Sequence, residues 1–143
     1  MPSGNYLGVG TSEDEVTGRD KAWLVELDKN SGAALKDTVY ELSMVHSVFW
    51  TSSDIIFNLD DIVLIGAVVD VSGGTYTACI VSLSYDYEVN WVRRYSKRTT
   101  DNAFFNIHEI DGFYHLHGLV YQDSPNNTID EWFVVVDSLG CDD

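Results

Sequence analysis

Residues 6–28, YLGVGTSEDEVTGRDKAWLVELD, decide the fold, because their pattern returns twice further along the chain. The second copy is 62–84, IVLIGAVVDVSGGTYTACIVSLS, and the third is 114–137, YHLHGLVYQDSPNNTIDEWFVVVD. In each, a short apolar segment ends in glycine, at Gly10, Gly66 and Gly118, and a second apolar segment opens at Trp23, Cys79 and Trp132. The spacings agree: Gly10 to Gly66 and Asp28 to Ser84 are both 56 residues, Gly66 to Gly118 is 52 and Ser84 to Asp137 is 53. Self-similarity at a fixed period of this length is the mark of a repeat architecture.

Working outward, a third anchor appears as Leu35–Tyr40 and again as Val89–Tyr95, and a fourth as the aromatic stretches around Val48–Trp50 and Phe104–Ile107. All of these segments are short and rich in β-branched and aromatic residues, with Gly, Asn, Asp and Ser between them, which is the signature of strands and hairpins. Asp28–Gly32, Val71–Thr75 and Asp111–Gly112 read as turns, with glycine supplying a positive φ. Longer polar loops are expected at Thr11–Lys21 and Gln122–Asp130. No apolar period of 3.6 runs for three turns. The expectation is an all-β chain of antiparallel four-stranded repeats, about two and a half propeller-like blades in one domain, with repeats near 4–55, 56–109 and 110–143. A β-sandwich or barrel is the alternative. Because a closed propeller needs at least four blades, further blades of a longer protein, or self-association through open strand edges and apolar faces at Tyr6, Val9, Phe133 and Val135, are expected partners.

Composition bounds the function. A chain of 143 residues with 45% hydrophobic and 13% aromatic content builds a core, and a formal charge of −15 repels nucleic acid phosphates and anionic membranes. Nucleic acid is excluded first, and no apolar run of ~18 residues suggests membrane insertion. Met1–Tyr6 lacks the basic and apolar regions of a signal peptide, so an export signal, if there is one, lies outside this chain.

Candidate chemistry is sparse. His115 and His117 alternate onto one strand face, at positions held by Leu7 and Val9 in the first repeat and Val63 and Ile65 in the second. They are the candidate metal ligands, with His108 or a loop carboxylate as a third, against the plainer reading that this face meets solvent or a hydrogen-bonding neighbour. The residues call for no obligatory cofactor; a transition metal at this pair, or calcium at the acidic Glu13–Glu15 loop and the Asp60–Asp61 and Asp130–Glu131 pairs, are the ions the chemistry would suit. Neighbouring carboxylates on a strand point opposite ways, so none of these pairs is a catalytic dyad by sequence alone. Asp28–Gly32 places its glycine wrongly for a calcium loop and lacks the closing Glu, and no nucleophile elbow, phosphate loop or zinc-protease helix is present. No catalytic residue is assigned. Cys79 reads as a buried thiol and Cys141 as half of a disulfide whose partner is not in the chain.

The segments GNYLGVGTS, AWLVELDKNSG, VNWVRRY and DEWFVVVDSLGCDD together resemble the tandem β-propeller-like repeats of secreted and surface proteins of Bacteroidota. That family places a glycine-ended strand before a Trp-apolar-Val-Lys-Leu-Asp strand, then a Gly turn and a strand with Trp before a closing Tyr; the middle repeat departs from it with Cys79 and Ser84. The resemblance implies a secreted or cell-surface location, by export through the type IX system. It also implies a binding or structural module that shows its loops to a glycan, a protein or a surface, without catalysis. The competing expectation is a glycan-processing hydrolase built from acidic loops.

Overall fold

The structure, a computed structural model, describes residues 3–16, 19–40, 47–70, 74–97, 100–121 and 128–141. Ten strands run through them: β1 (Tyr6–Asp14), β2 (Arg19–Leu27), β3 (Ala34–Tyr40), β4 (Ser47–Phe57), β5 (Ile62–Asp70), β6 (Tyr76–Leu83), β7 (Val89–Tyr95), β8 (Asn102–Ile110), β9 (Phe113–Tyr121) and β10 (Ile129–Val136). Each pairs antiparallel with its neighbour in sequence to give three sheets: a first of β1-β2-β3, a middle one of β4-β5-β6-β7 and a third of β8-β9-β10. The chain is all-β, an arrangement of consecutive antiparallel meanders, and among the described residues the strands close no barrel and no helix is long and apolar enough to cross a membrane.

The sheets run one strand out of phase with the sequence repeats. Strands β1, β5 and β9 are equivalent, as are β2, β6 and β10, but the aromatic strand closing one repeat starts the next sheet. The turns account for this. Asp111 and Gly112 both take positive φ, 54° and 82°, which is the twist of a two-residue hairpin, and so β8 is bound to β9 and not to β7. At the matching place between β4 and β5, Asn58 N–H donates to the Asp61 carbonyl.

Sheets pack face to face in chain order, and the middle one is buried on both sides. Ile62, Leu64 and Val68 of β5, with Cys79, Val81 and Leu83 of β6, face the first sheet. Val63 and Ile65, with Ala78 and Ile80, face the third. Burial on both faces explains why β5 reads as an unbroken apolar run and not as an alternation. Each large side chain so buried contributes roughly 1.5–3 kcal/mol.

The repeated glycine has a partner that the spacing alone does not reveal. In register, Gly10 lies opposite Trp23, Gly66 opposite Cys79 and Gly118 opposite Trp132. A Cβ at Gly118 would stand 2.1 Å from the Ala103 carbonyl oxygen, so that strand crossing admits no side chain. Trp132 is buried and stacks on Phe104 with ring centroids 5.0 Å apart, whereas Trp23 is half-buried, because its face of the first sheet looks away from the middle sheet. Two sequence expectations are corrected. Thr11–Asp14 and Arg19–Lys21 belong to a long hairpin and not to a loop, and Val9 turns inward against the core while Tyr6, Phe133 and Val135 are exposed. The Gln122–Asp130 expectation falls largely on residues outside those described.

Candidate functional site

The turns after β2, β4, β6, β8 and β10 lie at one end of the stack, and there the two contacts between sheets differ. Where the first sheet meets the middle one, the corner is filled. The Tyr87 hydroxyl donates to Glu26 Oε2 at 2.8 Å, and Asn5 Nδ2 donates to Glu26 Oε1 at 2.7 Å. Where the middle sheet meets the third, the residues at the equivalent places are Gly140 for Tyr87 and Ser82 for Glu26. Both replacements delete side chain; at Gly140 the Trp91 ring takes up the room, standing 2.9 Å from where a Cβ would be, and a cleft of about 420 Å³ lies over Ser82.

Its walls come from the β4–β5 turn (Asn58, Asp60, Asp61), from β6 and β7 (Ser82, Asn90, Trp91), from β8 and β9 (Glu109, Tyr114) and from the turn after β10 (Ser138, Leu139). A hydrogen-bonded floor fixes this wall. Asn58 Nδ2 donates to Asp61 Oδ1 at 2.9 Å and to the Tyr114 hydroxyl at 2.5 Å. The Ser82 hydroxyl donates to Asp61 Oδ2 at 2.6 Å, and Asn90 Nδ2 donates to Ser82 Oγ at 3.2 Å. From outside, the Tyr85 hydroxyl donates to the Asn58 carbonyl. Desolvation, and next the Asp61 carboxylate, push the Tyr114 phenol up to about 12, and the Tyr85 phenol is raised by desolvation and the Asp61 and Asp60 charges. These hydroxyls are therefore neutral donors and acceptors at neutral pH. Asp61 has both oxygens engaged, while Asp60 and Glu109 stand exposed at the rim and the half-buried Trp91 forms the flat apolar wall. The arrangement is a ring face flanked by amides and carboxylates.

A second, larger groove of about 880 Å³ runs between β7 and β10, with Arg93, Arg94 and Lys97 on one side and Trp132 to Val135 on the other. On the first sheet, Lys36 Nζ donates to the Asp86 carbonyl and lies 4.3 Å from the centre of the Tyr87 ring.

The histidines named from sequence do share a face. His108 lies directly across from His115 on β8 and β9, and His117 follows two residues on, all on the side of the third sheet away from the core. His117 stacks on Phe133 across the β9–β10 ladder, with centroids 4.6 Å apart, and its Nε2 is buried without a hydrogen-bond partner. Among the described residues no three His, Cys, Asp or Glu side chains come together to hold a metal. Asp28 Oδ1 accepts from the N–H groups of Asn30 and Ser31, which makes it a turn cap, and Gly32 takes a φ of 68°. Asp130 and Glu131 point to opposite faces of β10, and Glu13 lies within β1. Cys79 is buried, its thiol pushed up to about 12 by burial, and Cys141 is exposed; both are free. Of the cleft residues, the sequence singles out Asp60 and Asp61 as a carboxylate pair, but nothing in it brings them together with Ser82, Trp91, Glu109 and Tyr114. No family model matches the chain, and no curated protein matches it either.

Proposed function

We propose that this chain is a binding module of a secreted or surface protein, and that it takes a carbohydrate in the cleft between the middle and third sheets. The observation that supports this most is the wall itself, where the Trp91 ring stands beside Asn90, Asp60 and Glu109 in the recess over Ser82. A sugar offers a C–H face to an aromatic ring and hydroxyls to amides and carboxylates, so each surface of the cleft has a counterpart. Binding is favoured over hydrolysis because Asp61, the deepest carboxylate, spends both oxygens on Asn58 and Ser82. The extracellular assignment rests on the repeat resemblance.

Titration of tryptophan fluorescence with a panel of neutral and basic oligosaccharides tests the reading. Trp91→Ala is expected to weaken the best ligand at least ~10-fold, about 1.4 kcal/mol, when measured well below the melting temperature of the variant, which is lowered because Trp91 also packs on the core shared with the third sheet. Binding unaffected by Trp91→Ala, or no binding by any member of the panel, would sink the cleft assignment. Release of reducing ends that stops in Glu109→Gln would replace it with the hydrolase reading. Fractionation of the source cells that finds the chain only in the cytosol would remove the extracellular part.

A further inference from the structure

Both outer faces of the stack carry exposed apolar side chains, and they are not alike. Equivalent positions define two kinds of face: one turned to the preceding sheet, and one turned to the following sheet. Inside the chain these two kinds meet twice, first against middle and middle against third. The outer face of the first sheet, where Tyr6 and Val39 are exposed, Trp23 is half-buried and Val25 is buried, is of the preceding kind. Its residues match Ile62, Cys79 and Val81 of the middle sheet, which the first sheet covers. The exposed face of the third sheet, with His115, His117, Phe133 and Val135, is of the following kind and matches Val63, Ile65 and Ile80, which the third sheet covers.

Exposure marks both faces as unfinished. Phe133 is 71% exposed, while its counterpart Ile80 is 0%; Tyr6 is 63% exposed, while its counterparts Ile62 and Tyr114 are 0% and 2%. A second copy of the chain carries the matching face at its opposite end. We propose that copies of this chain stack head to tail, the third-sheet face of one covering the first-sheet face of the next and repeating the contact already made twice within each copy. Such an interface is heterologous: it uses two different patches, and neither needs to be complementary to itself. The inference does not rest on the carbohydrate reading, whose cleft lies at the turn end between the two internal faces.

Sedimentation velocity separates this from other arrangements, run at ~0.5 M salt so that the −15 charge of each copy is screened. The intact chain is expected to gain mass with concentration. Phe133→Glu blocks the third-sheet face and Val39→Glu the first-sheet face, and both positions are exposed enough for the fold to tolerate them. Each variant alone is expected to stay monomeric, and an equimolar mixture to form a dimer and nothing larger, since one open face of each kind remains. An intact chain that stays monomeric up to ~1 mM would overturn the proposal. So would either variant associating alone, which is the outcome for a symmetric face-to-face dimer, or a mixture that stays monomeric.

Discussion

Glu26 stands on the face of β2 that meets the middle sheet, and its carboxylate gathers donors from two sheets: Asn5 and Ser3 beside it, and the Tyr87 hydroxyl across the contact. The Asn5 hydrogen bond, followed by that of Tyr87, holds its pKa below the ordinary 4.5. A carboxyl that binds its proton less tightly in the fold than in the unfolded chain stabilises the fold fully above the unfolded value, and that contribution disappears as pH falls through the lower folded value. With 23 carboxylates in the chain, the useful readout is a difference between proteins. Glu26→Gln is expected to lower the urea midpoint at pH 7, and the gap to the parent chain is expected to close as the pH drops below 4.5. A gap that is the same at pH 7 and pH 3 would show that the carboxylate charge contributes nothing here.

At the scale of elements, the tyrosines that close β3 and β7 tie one sheet to the next. Tyr40, at the end of β3, donates to the Tyr87 carbonyl at 2.8 Å, and Tyr95, at the end of β7, donates to the Gly140 carbonyl. Both acceptors are positive-φ residues in the turn of the following sheet, with φ of 69° at Tyr87 and 73° at Gly140. Removing the donor leaves a buried carbonyl without a partner, which costs about 1–3 kcal/mol. Tyr95→Phe and Tyr40→Phe are each expected to lower the unfolding free energy by an amount in that range, read as a lower urea midpoint, and together to add, because they lock different contacts. A change under ~0.3 kcal/mol in both would mean that the rings carry the contact and the hydroxyls do not. The equivalence of these strands was legible in the sequence because the register sets Gly10, Gly66 and Gly118 opposite Trp23, Cys79 and Trp132, and a coupled pair leaves a periodic trace. Sheet boundaries were not, since a four-strand period reads the same wherever it is cut. The cleft was invisible for a related reason: Ser82 for Glu26 looks like drift between repeats until the fold brings it beside Asp61, Trp91 and Tyr114.

For the whole molecule, the middle sheet is the keystone, but its two contacts are unequal. Among the described residues, the third sheet sends Phe104, Ile107, Tyr114, Leu116, Val120, Trp132 and Val136 fully into its shared core. From the first sheet only Ala22, Leu24 and Tyr40 are as deeply buried, with Leu7 and Val9 partly so. At roughly 1.5–3 kcal/mol for each large side chain, the first sheet is held several kcal/mol more weakly than the third, a difference comparable to the ~5–15 kcal/mol stability of a whole domain. In an array where each unit touches only its neighbours, a weak terminal contact opens on its own before the rest unfolds. Native-state hydrogen exchange is therefore expected to show β2 amides exchanging through a partial opening, while those of β6 and β9 exchange only with global unfolding. Leu24→Ala is expected to lower protection in β1, β2 and β3 and leave β9 unchanged, whereas Leu116→Ala, at about 2–5 kcal/mol, lowers protection in β6 and β9 together. Equal protection of β2 and β6 in the parent chain, or a Leu24→Ala effect that reaches β9, would mean that the three sheets unfold as one unit in spite of the unequal burial.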